Sequence, residues 1–551
     1  MAANPREIQI RELKDTISQL NTTIKVLTET IEQGQKREAV MQEQIDYLTK
    51  KLFGRSSEKH VTPIEGQMSI FDLLFDEAEK EAEPSAPEPS PAEEDEVEVK
   101  AHTRKKKPTN DDKFANLKVR EVPIELPDSR LICPQCGSML EPFGKEYVRE
   151  EIVFIPARME RIKYYTVSYR CKACCEGLSG FDKGIIMKSV APDALMPKSQ
   201  ASPSSVAWTI YQKYANAMPL YRQEKDWLTQ YGVILTRATL GKWIIYCSEH
   251  YLKPLYEYFH REMLKRKFLM ADETRIQVLK EQGRDPQTDS FMWLFRTGED
   301  GEPPIIMYGY TQTRAKYNAE AFLKGFEGYL ETDGYQGYNN LPGIRRCCCW
   351  SHVRRGFVDA IPKGQKKDLS NPAVQGVAYC DKLFYYERKS AEKKHTYEQR
   401  REYRLDKEKP VIDAFIQWLD KQEPLKGSRM EKAVNYAKNR REYLVTYLED
   451  GRCSLSNNLS ENAIRPFTVG RKNWLFADTP NGAEASAVCY TMIEMAKAHN
   501  LNPFLYLNYV LTNRFGKCPT DAQLSMLAPW SDNVQAACKE LPSDQNSSYT
   551  D

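Results

Sequence analysis

KFLMADETRIQVL, residues 267–279, is the stretch on which the fold class turns. Its first half, Phe268, Leu269, Met270 and Ala271, is a short continuous apolar run of the kind that forms a strand buried on both faces. The run ends on Asp272 and Glu273. Carboxylates at the end of a buried strand must be paired or bound to metal, because burying a bare charge is costly. GYLETDGYQGYN (328–339) has the same form: Tyr329 and Leu330 lead into Asp333, and Gly334 lets a ligand or another backbone come close. Between them lie FMWLFRTG (291–298) and PPIIMYGYT (303–311), each apolar enough for a strand, and AKYNAEAFLKGF (315–326), whose spacing is helical. The expected order is strand, strand, strand, helix, strand, with acids on the first and fourth strands. In IRRCCCWSHVRRGF (344–357), Cys347 to Trp350 reads as a fifth buried strand ending beside His352, Arg354 and Arg355. His352 has two open readings, an acid or base and a hydrogen-bonded structural residue; Arg354 and Arg355 suit phosphate.

A third acid lies in SLSNNLSENAIRPFTVGRKNWLF (454–476). After Asn457 and Asn458, residues Glu461, Ile464 and Arg465 fall at i, i+3 and i+4 and so share one helical face. Arg465, Arg471 and Lys472 supply cations near it. Alone, the stretch reads equally as a solvated glutamate with neighbouring salt bridges. Charged helical segments such as KSAEKKHTYEQRREYRLDKEKPVIDAFIQWL (389–419) lead to the expectation of an all-helical insertion over about 360–452, between the second aspartate and the glutamate. Three carboxylates on adjacent elements repel unless cations join them. Two Mg²⁺ (or Mn²⁺) ions about 4 Å apart would clamp a scissile phosphate, with Asp333 shared and Asp272 and Glu461 each binding one. Glu273 would face away and is left out; Glu484 is the nearest downstream alternative to Glu461.

ADET (271–274), TDGYQGYN (332–339), CWSHVRRGF (349–357) and NNLSENAIRP (457–466) followed by GRKNWLF (470–476) resemble the transposases of the insertion-sequence-66 family. The strand order with its acids likewise resembles the ribonuclease-H-like fold of polynucleotidyl transferases. The resemblance covers nearly the whole chain, down to LNPFLYLNYVL (501–511). It implies that Asp272, Asp333 and Glu461 are the DDE triad. It also implies binding of terminal inverted repeats and target DNA, metal-dependent cleavage and strand transfer, and, in many relatives, small accessory proteins encoded beside the transposase.

At 551 residues the chain is long enough for three or four domains, and a hydrophobic share of 41% supplies real cores. Residues 8–52 carry a heptad: Ile10, Ile17, Ile24, Ile31, Ile45 and Leu52 at one core position, Leu13, Leu20, Leu27, Met41 and Leu48 at the other. Isoleucine at a with leucine at d favours a parallel two-stranded coil, weakened locally by Gly34 and Glu38; a single long helix packed on its own protein is the other reading. The resemblance makes this zipper (1–60) a homo-oligomerisation element, and LFGRSSEKH (52–60) matches the family's end-of-zipper signature. In the following linker (61–120), residues 76–99 hold eleven acids and one lysine, a net of −10, so with +2 overall the remainder carries about +12. Low aromatic content makes that tract a disordered linker or, alternatively, a phosphate mimic.

Cys133, Cys136, Cys171 and Cys174 form two Cys-x-x-Cys pairs, the pattern of one structural Zn²⁺ in a module at 121–186, with Cys175 a spare ligand. REEIVFIPARMERIKYYTVSYR (149–170) alternates like a hairpin that joins the pairs. Residues 187–262 read as helical, and PLYRQEKDWLTQYG (219–232) with VILTRATLGKWII (233–245) as a helix-turn-helix. Arg237 and Lys242 are the candidate DNA contacts, though such pairs also occur as plain structure. The catalytic domain is expected at 263–498 and a C-terminal segment at 499–551, making the fold class multidomain α+β/α/β. Fourteen cysteines and no apolar leader in MAANPREIQIREL lead to the expectation of free thiols in a soluble, cytoplasmic, nucleoid-associated bacterial protein without a membrane span. A DNA-binding regulator would share the zipper, zinc module and helix pair without needing three acids, and a nuclease of the same fold would keep the acids alone.

Overall fold

A computed structural model describes parts of 14–42, then 159–165, 168–170, 186–188, 193–362, 368–516 and 518–539. The described residues between 14 and 42 are helical, and their heptad positions, Ile17, Leu20, Ile24, Leu27, Ile31 and Met41, are all exposed. The zinc-module cysteines and the acidic tract lie outside the described residues. Of the hairpin expected over 149–170, residues 159–165 are irregular. Strand β1 (Ser168–Arg170) pairs antiparallel with β2 (Ile186–Lys188), a partner downstream of the second cysteine pair rather than upstream.

Helices α1 (Pro203–Tyr214), α2 (Leu220–Tyr231) and α3 (Arg237–Cys247) follow. Gly232, at φ 65° in the left-handed region where glycine carries no Cβ penalty, ends α2, and the Thr236 side chain accepts from Thr239 N–H to start α3. The turn between them therefore sits where the glycine and threonine put it. A π-turn, Ser248–Leu252, carries the chain into α4 (Lys253–Leu264).

Strand β3 (Phe268–Val278) is the centre of a mixed sheet, since Phe268 to Ala271 are almost wholly inaccessible to solvent. β4 (Asp289–Thr297) and β5 (Ile306–Thr311) pair antiparallel on one side. After α5 (Lys316–Phe322), β6 (Gly328–Thr332) and β7 (Ile344–Cys348) lie parallel to β3 on the other, giving the order β5-β4-β3-β6-β7. The apolar run 347–350 divides: the strand stops at Cys348 and Trp350 opens helix α6 (Trp350–Ala360).

Every regular element described from 368 to 452 is helical. Helices α7 (Pro372–Glu392), α8 (Lys409–Asp420) and α9 (Arg429–Lys438) share one core with α6 and the sheet, in which Met270, Cys347, Trp350, Phe357, Phe384 and Phe415 meet. Helix α10 (Asn458–Trp474) then returns to β3. Leu475 at φ 64° turns the chain into β8 (Phe476–Ala477), which pairs parallel with Gln277 and Val278. Helix α11 (Pro480–Ala498) covers β5, where Thr491 Oγ1 accepts from Tyr308 N–H. Among the described residues, all nine cysteines are free thiols and no helix is long and apolar enough to cross a membrane.

Candidate active site

β6 pairs with β3 only from Phe268 to Met270, so the pairing ends two residues before Asp272. The carbonyl of Ala271, left without a ladder partner on that side, accepts from Asn457 Nδ2 at 2.9 Å. That bond ties the start of α10 to the end of β3's buried run. It explains in physical terms why an amide precedes Glu461. Asp272 Oδ1 in turn accepts from its neighbour's backbone N–H, Glu273, at 2.8 Å.

The gap so opened is a cavity of about 260 Å³. Asp272 from β3, Asp333 from the end of β6 and Glu461 from the first turn of α10 line it together. His352 and Arg355 from α6 and Ile464, Arg465 and Thr468 from α10 complete the wall. The face expected from the 461, 464, 465 spacing is therefore the one presented, and Thr468 extends it at i+7, a position the same periodicity could have named. Glu461 Oε1 stands 3.6 Å from His352 Nδ1, and Glu461 Oε2 stands 3.6 Å from Arg355 Nη2. Both distances exceed a hydrogen bond. Glu461 Oε1 and His352 Nδ1 are buried atoms without a hydrogen-bond partner. Cys349 Sγ lies beside them, and one ligand atom from each of these three residues falls within 4.8 Å of the others.

Burial pushes the Asp272 carboxyl well above its ordinary range, and the neighbouring charges of Glu273, Glu461 and Asp333 push it further. Burial also draws the His352 imidazole below its usual value, against the pull of Glu461. Glu273, set aside on the strand's alternation, is turned away from the cavity but is not idle. Its carboxylate is paired with Arg314 and accepts from the buried Tyr338 hydroxyl, while Arg314 lies 4.0 Å from Asp333 Oδ2 and stacks on Tyr335 at 3.7 Å. Gly334 admits a close neighbour as expected: a Cβ there would collide with the Arg440 guanidinium, which donates to the Gly334 carbonyl.

The other candidate residues divide by environment. Arg354 differs from the expected phosphate contact: it is buried and donates to Asp381 Oδ1 at 2.6 Å, because the helix turns it into the core while Arg355 faces the cavity. Arg471 donates to Thr274 Oγ1 at 3.2 Å, outside the cavity wall, and Lys472 is exposed. Lys472 lies eleven positions beyond Glu461, about 16 Å along a helix. Glu484 lines a separate cavity and lies 3.8 Å from Lys253. Arg237 and Lys242 are exposed on α3. Local periodicity held no signal for Arg314, Tyr338 or the Arg354 and Asp381 pair, since their partners lie elsewhere in the chain.

Residues 198–485 match the family profile described as Transposase IS66 family. Residues 131–175, which contain Cys133, Cys136, Cys171 and Cys174, match the zinc-finger binding domain of transposase IS66, and residues 41–122 match the profile described as Transposase C of IS166 homeodomain. The chain is also similar to three uncharacterized proteins of Sinorhizobium fredii (strain NBRC 101917 / NGR234). It is 27% identical to y4hP over 88% of this chain and 87% of that protein, 27% identical to y4qI over 72% and 73%, and 29% identical to y4jD over 74% and 78%. With the transposase profile spanning more than half of its length, the chain belongs to the IS66 family of transposases.

Proposed function

We propose that this transposase cleaves DNA at the ends of its element and joins the freed 3′ ends to target DNA in the cavity between β3, β6 and α10, with Asp272, Asp333 and Glu461 as the catalytic acids of a ribonuclease-H-like domain at 263–498. The observation that carries the reading is the convergence of these three carboxylates, from elements far apart in sequence, on one cavity that also holds Arg355 and Arg465. The donor set fits hard divalent ions: it is oxygen-rich, Glu461 Oε1 is buried without a hydrogen-bond partner, and burial together with the neighbouring carboxylates raises the Asp272 carboxyl, which a bound cation would counter. Asp272, Asp333 and Glu461 would hold two Mg²⁺ or Mn²⁺ ions, which when bound activate the attacking hydroxyl and stabilise the leaving oxygen. Arg355 and Arg465 draw the scissile phosphate to that wall, and Arg314 braces Asp333 from behind. Arg471 and Lys472, further along α10, meet the flanking DNA backbone. Helices α2 and α3 contact terminal-repeat DNA through Arg237 and Lys242. The helical segment 360–452 is an insertion within the catalytic domain.

The four cysteines at 133, 136, 171 and 174 are a donor set suited to one structural Zn²⁺. The exposed heptad seam is suited to pairing with a second copy, which would bring two element ends together. The chain thus acts as a homo-oligomer on DNA in the bacterial cytoplasm, with accessory proteins of the same element as further partners.

Asp272→Asn, Asp333→Asn and Glu461→Gln test the reading, because each keeps side-chain volume and removes a charge. Each variant should shift a labelled terminal-repeat probe like the parent, yet lose nicking and joining in Mg²⁺ or Mn²⁺ by roughly 10³-fold, the effect of losing several kcal/mol of charge stabilisation. Parent-like joining by the Glu461→Gln protein would overturn the assignment of the third acid. A parent that binds the probe but never joins it would leave a regulator, and one that only cuts would leave a nuclease.

A further inference from the structure

We propose that the ion held at Glu461 is also bound by His352 through Nδ1, so that one metal position has a mixed nitrogen and oxygen ligand set and takes Mn²⁺ in preference to Mg²⁺. This rests on the function proposed above. The two side chains come from the first turns of α6 and α10, more than a hundred residues apart, and meet across the cavity with Nδ1 and Oε1 at 3.6 Å. Both atoms are buried and neither has a hydrogen-bond partner. Buried polar atoms are rarely left so, and each one calls for an explanation.

The separation is too long for a hydrogen bond between the two. Two ligands each about 2.1 Å from a shared ion lie about 3.0 Å apart at octahedral and about 3.4 Å apart at tetrahedral angles, so the pair at 3.6 Å has only to close by a few tenths of an ångström to share one ion. The other described histidines make a useful contrast. His250, His260 and His499 each place a ring nitrogen on a backbone carbonyl, and His395 places one on the Ser390 hydroxyl, at 2.7–3.0 Å. Those four are accounted for by the fold. His352 Nδ1 is not.

Cys349 completes the cluster by distance but is not proposed as a ligand. Its sulfur accepts the Asn457 N–H at 3.1 Å, and thiols suit softer ions than the carboxylates beside it. Its place is behind the pair, where that bond fixes the residue before α10. An imidazole nitrogen discriminates between metals: Mg²⁺ keeps oxygen ligands and water, whereas Mn²⁺ accepts nitrogen more readily. The position at Glu461 would therefore differ in selectivity from the one at Asp272.

The test uses the full-length protein with Mn²⁺ as the only added metal, observed by pulsed electron paramagnetic resonance for coupling to directly bound ¹⁴N, with Mn²⁺ and competing Mg²⁺ affinities from titration. The parent should show a directly bound nitrogen. His352→Ala should abolish it and weaken Mn²⁺ by roughly tenfold or more, with Mg²⁺ changed by less than about threefold. His352→Gln, which keeps a polar side chain of similar reach, guards against misfolding and should also lack the nitrogen signal. If Mn²⁺ binds, is lost in Asp272→Asn and yet never shows bound nitrogen, or if the nitrogen survives in His352→Ala, the His352 inference is wrong while the proposed function stands. Mn²⁺ binding indifferent to Asp272→Asn, Asp333→Asn and Glu461→Gln would overturn both.

Discussion

Arg404 is a charged side chain taken wholly out of water and Asp272 one half-buried in a cavity wall, and the protein treats them in opposite ways. Around Arg404, in the helical segment, every donor is used. Its Nε and Nη2 bond the two Glu387 oxygens at 2.6 and 3.1 Å, and the remaining N–H groups reach the carbonyls of Tyr447, Asp450 and Cys453 at 2.8–3.1 Å. A guanidinium has five donors, and here all five are engaged. Arg400 joins Glu387 as well, and Glu408, which burial and the Glu387 charge raise well above the carboxylate range, accepts from the Tyr447 hydroxyl at 2.6 Å through Oε2, leaving only its Oε1 without a hydrogen-bond partner. The Asp272 cavity instead crowds carboxylates and leaves Glu461 Oε1 and His352 Nδ1 without hydrogen-bond partners. A buried charge that the chain satisfies from its own residues is architecture; one left unsatisfied at the mouth of a cavity waits for something from outside. The two are linked, because the three carbonyls held by Arg404 belong to the turn that leads into Asn457 and Glu461.

Removing Arg404 should break the comparison most severely. Arg404→Met leaves Glu387 buried without its main partner and strands three carbonyls, so a loss of about 3–5 kcal/mol is expected in denaturant unfolding. A loss below about 1 kcal/mol would mean that the network stabilises far less than its geometry implies.

Glu387 and Asp272 should also answer pH with opposite slopes. Burial alone would raise Glu387, but Arg404 and Arg400 override it and hold its carboxyl well below the usual range. Its contribution to stability is therefore present above the unfolded glutamate value of about 4.3 and is lost as pH falls through the depressed folded value. Asp272 is raised, by burial first and then by Glu273, Glu461 and Asp333. Folded, chelator-treated protein should hold that proton more tightly than unfolded chain, so its stability declines as pH climbs from about 4 through the raised value. Asp272→Asn should flatten this decline, and Glu387→Gln should flatten the acid loss instead. Melting temperatures of the three proteins across pH separate the slopes; equal behaviour of parent and Asp272→Asn without metal would contradict a carboxyl raised by burial and its acidic neighbours.

The smallest effect is expected at Arg314, which stands between the two regimes: paired with Glu273 but only near Asp333. Arg314→Gln should leave DNA binding intact and lower Mn²⁺ affinity by roughly tenfold, as for residues that orient a ligand without touching the ion. An unchanged affinity would confine Arg314 to holding Glu273.

Much of this was legible in one dimension. The apolar run 268–271 opens the central strand, though the strand does not end at Asp272 as expected but continues to Val278 along its antiparallel neighbour; the strands and helix follow in the order read from their periodicity, and Glu461, Ile464 and Arg465 share the cavity face. Burial imposes a period on each element, and period is visible in sequence. The limits came at ends and partners. Trp350 looks like strand and begins a helix, since an apolar run of that length fits either and only the packing against Phe415 decides.

What the sequence by itself determined is which segments are strands or helices, which face of each is apolar, and which residue types are available for chemistry. Tertiary structure alone decided who meets whom. Adjacent arginines part company, Arg354 to Asp381 in the core and Arg355 to the cavity; Glu273 finds Arg314, 41 residues away; Asn457 caps Ala271 across 186 residues. The physical reason is that helix and strand periods act over a few residues, whereas the partner of a buried charge is chosen by closure of the whole chain, where the cost of leaving it unpaired is largest.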